Sequence, residues 1–178
     1  MPAPTRSAAL GHVAISIPDL DTAMPWYEDI FGLKQIAPPF ELTGAERGHS
    51  AEQRVAVFGP ELKRMRVGHL EAANGAAIEL FQFIDPPYRR PENNFDYRCG
   101  GLFHVCFTDP DVAGLSQRII ESGGKAMAEL TKPFPEQQFE IRFCEDPWGT
   151  VIEIMSHPHA RIFANQVRRT ADPEGAVG

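Results

Sequence analysis

Gly11-His12-Val13-Ala14-Ile15-Ser16-Ile17-Pro18-Asp19 is answered 92 residues later by Phe103-His104-Val105-Cys106-Phe107-Thr108-Asp109-Pro110-Asp111. Both stretches read His-Val, four residues, then Pro-Asp. A second pair follows. Gly75-Ala76-Ala77-Ile78-Glu79-Leu80 closes the first half, and Gly149-Thr150-Val151-Ile152-Glu153-Ile154 closes the second. Each half therefore supplies one His and one Glu at matching places. Two imidazoles and two carboxylates related by a pseudo-twofold form the donor set of a divalent-metal site.

Side chains alternate faces along a strand. His12 then shares a face with Ala14 and Ser16, against Val13, Ile15 and Ile17; His104 shares one with Cys106 and Thr108, against Val105 and Phe107. The histidine falls on the smaller, more polar face both times. Glu79 lies between Ile78 and Leu80, and Glu153 between Ile152 and Ile154. A carboxylate in such a strand is costly to bury unless it is paired or bound to metal. A single buried His is more often a hydrogen-bonded core residue, and a single strand Glu is usually on the solvent side. The recurrence of both at equivalent positions favours metal binding. His49, His69, His157 and His159 have no such recurrence, and the phase of His69 on its strand is open at this level.

Outward from the repeat, each half reads strand, helix, strands. His12–Ile17 ends at Pro18-Asp19. Asp19 or Asp21 caps a helix through Trp26-Tyr27 to Phe31, stopped by Gly32. Strands are expected over Lys34–Phe40, Met65–Glu71 and Ala77–Ile84. The second half matches with a strand over His104–Thr108, then a helix over Val112–Ser122 that buries Leu115, Ile119 and Ile120 and stops at Gly123-Gly124. Strands over Lys125–Ala128, Glu140–Cys144 and Thr150–Met155 complete it, the last after the turn Asp146-Pro147-Trp148-Gly149. His12 to Glu79 spans 67 residues and His104 to Glu153 spans 49. The 18 extra residues are placed in an insertion over 43–63, with a short helix at Ala51–Phe58. Such an insertion shapes a ligand site or serves as a surface or dimer contact. The expected organisation is one domain over 9–157: a first module over 9–85, a linker over 86–101 and a second module over 102–157. A tail follows over 158–178, helical to Arg169 and disordered from Ala171 to Gly178.

Composition narrows the class. At 178 residues, 43% hydrophobic and 23% charged, the chain can build a folded core. Its net charge of −7 comes with no basic stripe, so no nucleic-acid partner is expected. No apolar run reaches the roughly 20 residues of a membrane span, and the opening Met1–Arg6 has no signal-like apolar stretch. A cytoplasmic protein is therefore expected. Cys99, Cys106 and Cys144 are widely spaced and read as reduced thiols.

These residues resemble the vicinal oxygen chelate superfamily, which includes glyoxalase I, methylmalonyl-CoA epimerase, fosfomycin- and bleomycin-resistance proteins and extradiol dioxygenases. The resemblance is carried by His12 with Pro18-Asp19, Trp26-Tyr27 with Phe31-Gly32-Leu33, Ile78-Glu79-Leu80, His104 with Pro110-Asp111, and Asp146-Pro147-Trp148-Gly149 with Ile152-Glu153-Ile154. It implies an α+β fold of two βαβββ modules, the glyoxalase/bleomycin resistance/dioxygenase fold, curving into an open, barrel-like metal cleft. It implies His12, Glu79, His104 and Glu153 as metal ligands, matching the His, Glu, His, Glu set of glyoxalase-like members. Epimerase-like members commonly carry Gln where this chain has Glu79.

The resemblance further implies a divalent-metal-dependent isomerase or lyase, glyoxalase I-like or epimerase-like, working through a metal-stabilised enediolate or enolate. The substrate is a small molecule with adjacent oxygens, and Glu153, then Glu79, are the candidate catalytic bases. The cofactor is a divalent ion, with Ni, Co, Mn, Zn and Fe all compatible with these ligands, and a homodimer is the expected assembly. An iron-dependent ring-cleaving dioxygenase using His12, His104 and Glu153 is the alternative, and a non-catalytic small-molecule binder the next. Ser16, Phe81, Cys106, Thr108 and Met155 share the expected cavity face. Arg89 and Arg90 in the linker suit an anionic tail, or plain surface charge. Phe103, Phe107 and Phe143 are expected in the core.

Overall fold

The structure, a computed structural model, describes residues 7–43, 49–93 and 95–170. The opening Met1–Arg6, residues 44–48 of the expected insertion and the expected disordered end Ala171–Gly178 lie outside the described residues. The chain divides into two units, Met1–Glu92 and Asn93–Gly178.

The first unit runs β1 (His12–Ser16), α1 (Leu20–Phe31), β2 (Lys34–Thr43), α2 (His49–Phe58), β3 (Arg64–Glu71) and β4 (Ala77–Asp85). Asp19, in extended backbone, starts α1 by accepting the Thr22 N–H at 3.2 Å. Leu20, Ala23, Met24, Tyr27 and Ile30 recur at helical spacing and are buried. Gly32 stops the helix at φ 65°, a left-handed conformation that favours glycine, and gives its N–H to the Glu28 carbonyl at 2.9 Å. The sheet order is β1-β4-β3-β2, with β1 parallel to β4 and the other pairs antiparallel. Strand β2 is at the edge, and its pairing with β3 slips around Pro38-Pro39. Proline cannot donate to a ladder, so it is tolerated there. Helix α1 lies on the face of Ile15, Ile78 and Leu80, close enough at Gly68 that a Cβ would strike the Met24 sulfur.

The second unit repeats the plan with β5 (Val105–Thr108), α3 (Val112–Glu121), β6 (Lys125–Ala126), β7 (Ile141–Glu145), β8 (Val151–Met155) and α4 (His159–Thr170). Its sheet order is β5-β8-β7-β6, again with only the first pair parallel. Asp111 caps α3 through the Gly114 N–H at 2.8 Å, and Val112, Leu115 and Ile119 are buried. Ile120 is half-buried, so the inward stripe is narrower than expected. Strand β6 is also shorter than expected, ending at Ala126.

The turns before β4 and β8 explain the repeated glycine. Gly75 and Gly149 have φ of 80° and 95°. Asn74 accepts the Ala76 N–H at 3.1 Å. Buried Asp146 accepts the N–H groups of Trp148 and Thr150 at 2.9 and 2.7 Å. Each turn therefore starts its strand in the phase that sets Ile78 or Ile152 inward and the next residue, Glu79 or Glu153, on the other face.

Candidate metal centre

Register brings each His to its Glu. In the parallel pair β1/β4, His12 lies opposite Ala77 and Ala14 opposite Glu79, so His12 meets Glu79 diagonally on one face. His12 Nε2 is 3.3 Å from Glu79 Oε2. In β5/β8, Cys106 lies opposite Glu153, and His104, just before β5, repeats the diagonal with Nε2 3.2 Å from Glu153 Oε2. Their surroundings differ. The side chains of His12 and Glu79 are 54% and 21% exposed, those of His104 and Glu153 27% and 13%.

Strand β3 adds what the sequence left open. His69 lies directly opposite Glu79, with Nδ1 3.3 Å from Glu79 Oε1. The Phe40 ring stacks on it at 5.7 Å and 19°. The corresponding position opposite Glu153 is Phe143. Phe103 and Phe143 meet the His104 ring edge-to-face at 4.7 and 5.5 Å. Of the three phenylalanines expected in the core, Phe103 is exposed and Phe107 and Phe143 are half-buried. Two of them wall an imidazole instead. The sequence placed both His69 and Glu79 on strands; what was missing was the register that sets them opposite each other.

The donors suit a cation pair by pair. Two atoms bonded to one ion at about 2.1 Å each stand about 2.9 to 3.4 Å apart for angles between square and tetrahedral. Both His–Glu separations, 3.3 and 3.2 Å, fall in that window. An ionised carboxylate only accepts, and a cation between nitrogen and oxygen would stand where a proton would otherwise be shared. The buried Nδ1 of His104 has no partner among the described residues, which leaves Nε2, toward Glu153, as its working nitrogen. His12 and His69 address different oxygens of Glu79, and no three His, Cys, Asp or Glu side chains among the described residues gather around one point.

The remaining expected face residues separate into two groups. Ser16, Cys106 and Thr108 are open, as a cavity lining requires. Cys106 reaches solvent, yet protein crowds its sulfur; that desolvation, then the charge and hydrogen bond of Glu153, push the thiol up to about 12. Phe81 and Met155, further along β4 and β8, are covered. Phe81 and Phe83 pack with Leu62, Met65 and Val67 and lie 6.1 and 5.9 Å from the Phe58 ring of α2. Buried Arg54 anchors that helix by donating to the Leu62 carbonyl at 2.7 Å. Met155 lies with Phe134, Phe139, Ile141 and Ile162 of α4. A helix thus closes the downstream end of each ligand face. Arg89 lines a cavity of about 440 Å3 with Ser16, Phe83, Pro86, Pro87 and Tyr88; Arg90 does not line it. His157 bonds Ser156 at 2.9 Å, and His159 lies 4.6 Å from the Phe163 ring, so neither joins the pairs.

Known proteins of the same plan exist. The family described as the Glyoxalase/Bleomycin resistance protein/Dioxygenase superfamily matches residues 9–154. A 2-epi-5-epi-valiolone epimerase from Actinomyces sp is 23% identical over 175 residues, 96% of this chain and 91% of that protein. A glyoxalase family protein from Bacillus cereus superposes with a TM-score of 0.69 at 20% identity, over 86% of this chain and 97% of its own. Glyoxalase I from Zea mays does so with a TM-score of 0.54 at 21% identity, over 83% of this chain and 44% of its own. The chain belongs to the Glyoxalase/Bleomycin resistance protein/Dioxygenase superfamily.

Proposed function

We propose that this member of the superfamily is a divalent-metal-dependent isomerase or lyase that moves a proton on a carbon next to a carbonyl. The observation that carries the reading is the pair of His–Glu contacts, 3.3 Å in one half and 3.2 Å in the other, made at the same place in two sheets of the same order. The proposed ligands are His12, Glu79, His104 and Glu153, the last also serving as base. A divalent ion held there would supply Lewis acidity to two adjacent substrate oxygens.

The chain's own residues do the rest. Glu153 takes the proton from the carbon beside the carbonyl and becomes a neutral acid. Return of that proton to the neighbouring carbon, with transfer of the hydroxyl proton to the former carbonyl oxygen, isomerises the substrate; protonation of the same carbon from its other face by water inverts it, and the hydroxide left behind takes the proton back from Glu153. The 13% exposure of the Glu153 side chain and the rings beside His104 limit water around the transferring proton. Epimerisation is supported by the epimerase that matches nearly the whole chain, and hemithioacetal isomerisation by the ligand set shared with glyoxalase-like members. The working form, one chain or two copies of it, is read by mixing His12→Ala and His104→Ala chains, since only a site shared between copies regains metal binding.

The deciding experiment follows deuterium uptake from heavy water into α-hydroxy ketones, acyl thioesters and hemithioacetals, with the metal-loaded chain. Glu153→Gln keeps measurable metal binding and loses exchange by about 100-fold or more. Unaltered exchange removes Glu153 from the mechanism. Oxygen consumption with a catechol on ferrous loading selects the ring-cleaving alternative, and ligand binding indifferent to chelator selects the non-catalytic one.

A further inference from the structure

We infer that His69 is a positioning residue that holds Glu79 still, so that the two carboxylates of the proposed centre have different duties: Glu79 is a fixed ligand and Glu153 is the one free to move a proton. The inference rests on the metal reading above and goes beyond it, because it assigns a part to a residue outside the four-residue set.

The two carboxylates differ in how they are tethered. Glu79 has an imidazole on each oxygen, His12 Nε2 at Oε2 and His69 Nδ1 at Oε1, both at 3.3 Å. A carboxylate with an imidazole nitrogen beside each oxygen cannot rotate about its terminal bond without separating one of the two contacts. His69 is itself restrained. It sits directly across the antiparallel ladder from Glu79, its side chain is 23% exposed, and the Phe40 ring stacks on it. Cross-strand neighbours of this kind keep their Cβ atoms about 5 Å apart, so the contact is imposed by the sheet.

Among the described residues, Glu153 lacks that second anchor. Its imidazole is His104 Nε2 at 3.2 Å. Across the ladder stands Phe143, which has nothing to donate. Along β5 stands Cys106, whose thiol is a weak donor. A bound cation would take up the facing nitrogens of His12 and His104, each ring keeping its one hydrogen on Nδ1. Glu79 would still have His69 beside its other oxygen, and among the described residues Glu153 would have a thiol. A ligand whose second oxygen is hydrogen-bonded is oriented for binding, and loss of such a partner typically costs 10- to 100-fold in metal affinity.

The test uses the full chain, stripped of metal and titrated with Co2+ alone, followed by calorimetry and by the visible absorption of the bound ion. His69→Phe copies the second half into the first. It is expected to weaken Co2+ binding about 10- to 100-fold and to alter the absorption of whatever binds. His69→Gln restores an N–H donor and is expected to bind within about threefold of the parent. Cys106→Ala, which removes the weak donor from Glu153, is expected to do the same. Should the phenylalanine variant not fold, His69→Ala replaces it and is likewise expected to weaken Co2+ binding about 10- to 100-fold. Parent-like binding by His69→Phe overturns the inference, as does an equal loss in His69→Gln, because then the N–H is not what matters. Glu79→Gln and Glu153→Gln keep the two readings apart. If neither weakens Co2+ binding, the metal centre itself is wrong. If Glu79→Gln weakens it and His69→Phe does not, only the part given to His69 falls.

Discussion

The two halves build the same backbone around different neighbours. In the first, the His12–Glu79 pair lies open, with Ala14 on one side of Glu79 and His69 on the other. In the second, the His104–Glu153 pair is more enclosed, with Cys106 and Phe143 at those positions and Phe103 closing on the imidazole. The repeated turn glycine, strand phase and parallel pairing put a His and a Glu together twice. The residues opposite each Glu then determine how tightly it is held and how much water reaches it. Duplication explains the recurring pair; divergence at two ladder positions gives each Glu different neighbours.

The largest expected contrast comes from exchanging the carboxylates for amides. Glu153→Gln abolishes proton exchange by about 100-fold or more while retaining metal, whereas Glu79→Gln acts first on metal affinity, by about 10-fold or more. Both are read on the same protein, by calorimetry and by deuterium uptake. Equal behaviour of the two variants breaks the proposed division of labour.

A smaller contrast concerns the helix that each half lays on its sheet. At Gly124 a Cβ would meet the Glu145 backbone carbonyl and the Ile119 side chain, while at Gly68 it meets the movable end of Met24. Backbone cannot step aside. Gly124→Ala is therefore expected to cost more stability than Gly68→Ala, within the ~1–3 kcal/mol range of overpacking, as read by urea unfolding. A larger loss at Gly68 means that α1 is the more rigidly seated helix. The caps should differ least. Asp19→Ala and Asp111→Ala each remove one hydrogen bond to a helix-start N–H, at 3.2 and 2.8 Å, and each should cost about 1 kcal/mol.

The smallest effect is chemical. Because burial and Glu153 raise the Cys106 thiol to about 12, it stays protonated at pH 8 in the metal-free chain, and iodoacetamide modifies it slowly. Its alkylation quickens only as the pH climbs toward that value, which mass spectrometry of the labelled peptides measures. Rapid modification at pH 8 would show that desolvation and the Glu153 carboxylate do not together hold the thiol protonated.

Much of the fold was legible because its signals are local. Asp19 and Gly32 bracket α1 as caps, and alternation placed His12 and Glu79 on the face away from Ile15 and Leu80. Other features were not. Strand β2 runs on past Phe40 to Thr43 through two prolines, which only an edge position permits. Met155 and Phe81 had the right parity for a cavity wall but are covered by α4 and by the cluster beneath α2, segments with no fixed place along the strand pattern. Phe103 and Phe143 read as core by composition and instead flank His104.

By itself the amino-acid order determined the doubled βαβββ plan and the His and Glu that each half sets on one face of its sheet, because caps, turn glycines and strand parity act over a few residues. Only the tertiary structure decided that His69 faces Glu79, that Phe143 takes the matching place beside Glu153, and that a helix covers the far end of each face. Those outcomes depend on which residue of one strand stands across from which residue of the next. A slip of one position would turn every side chain to the other side of the sheet, and no local pattern records that choice.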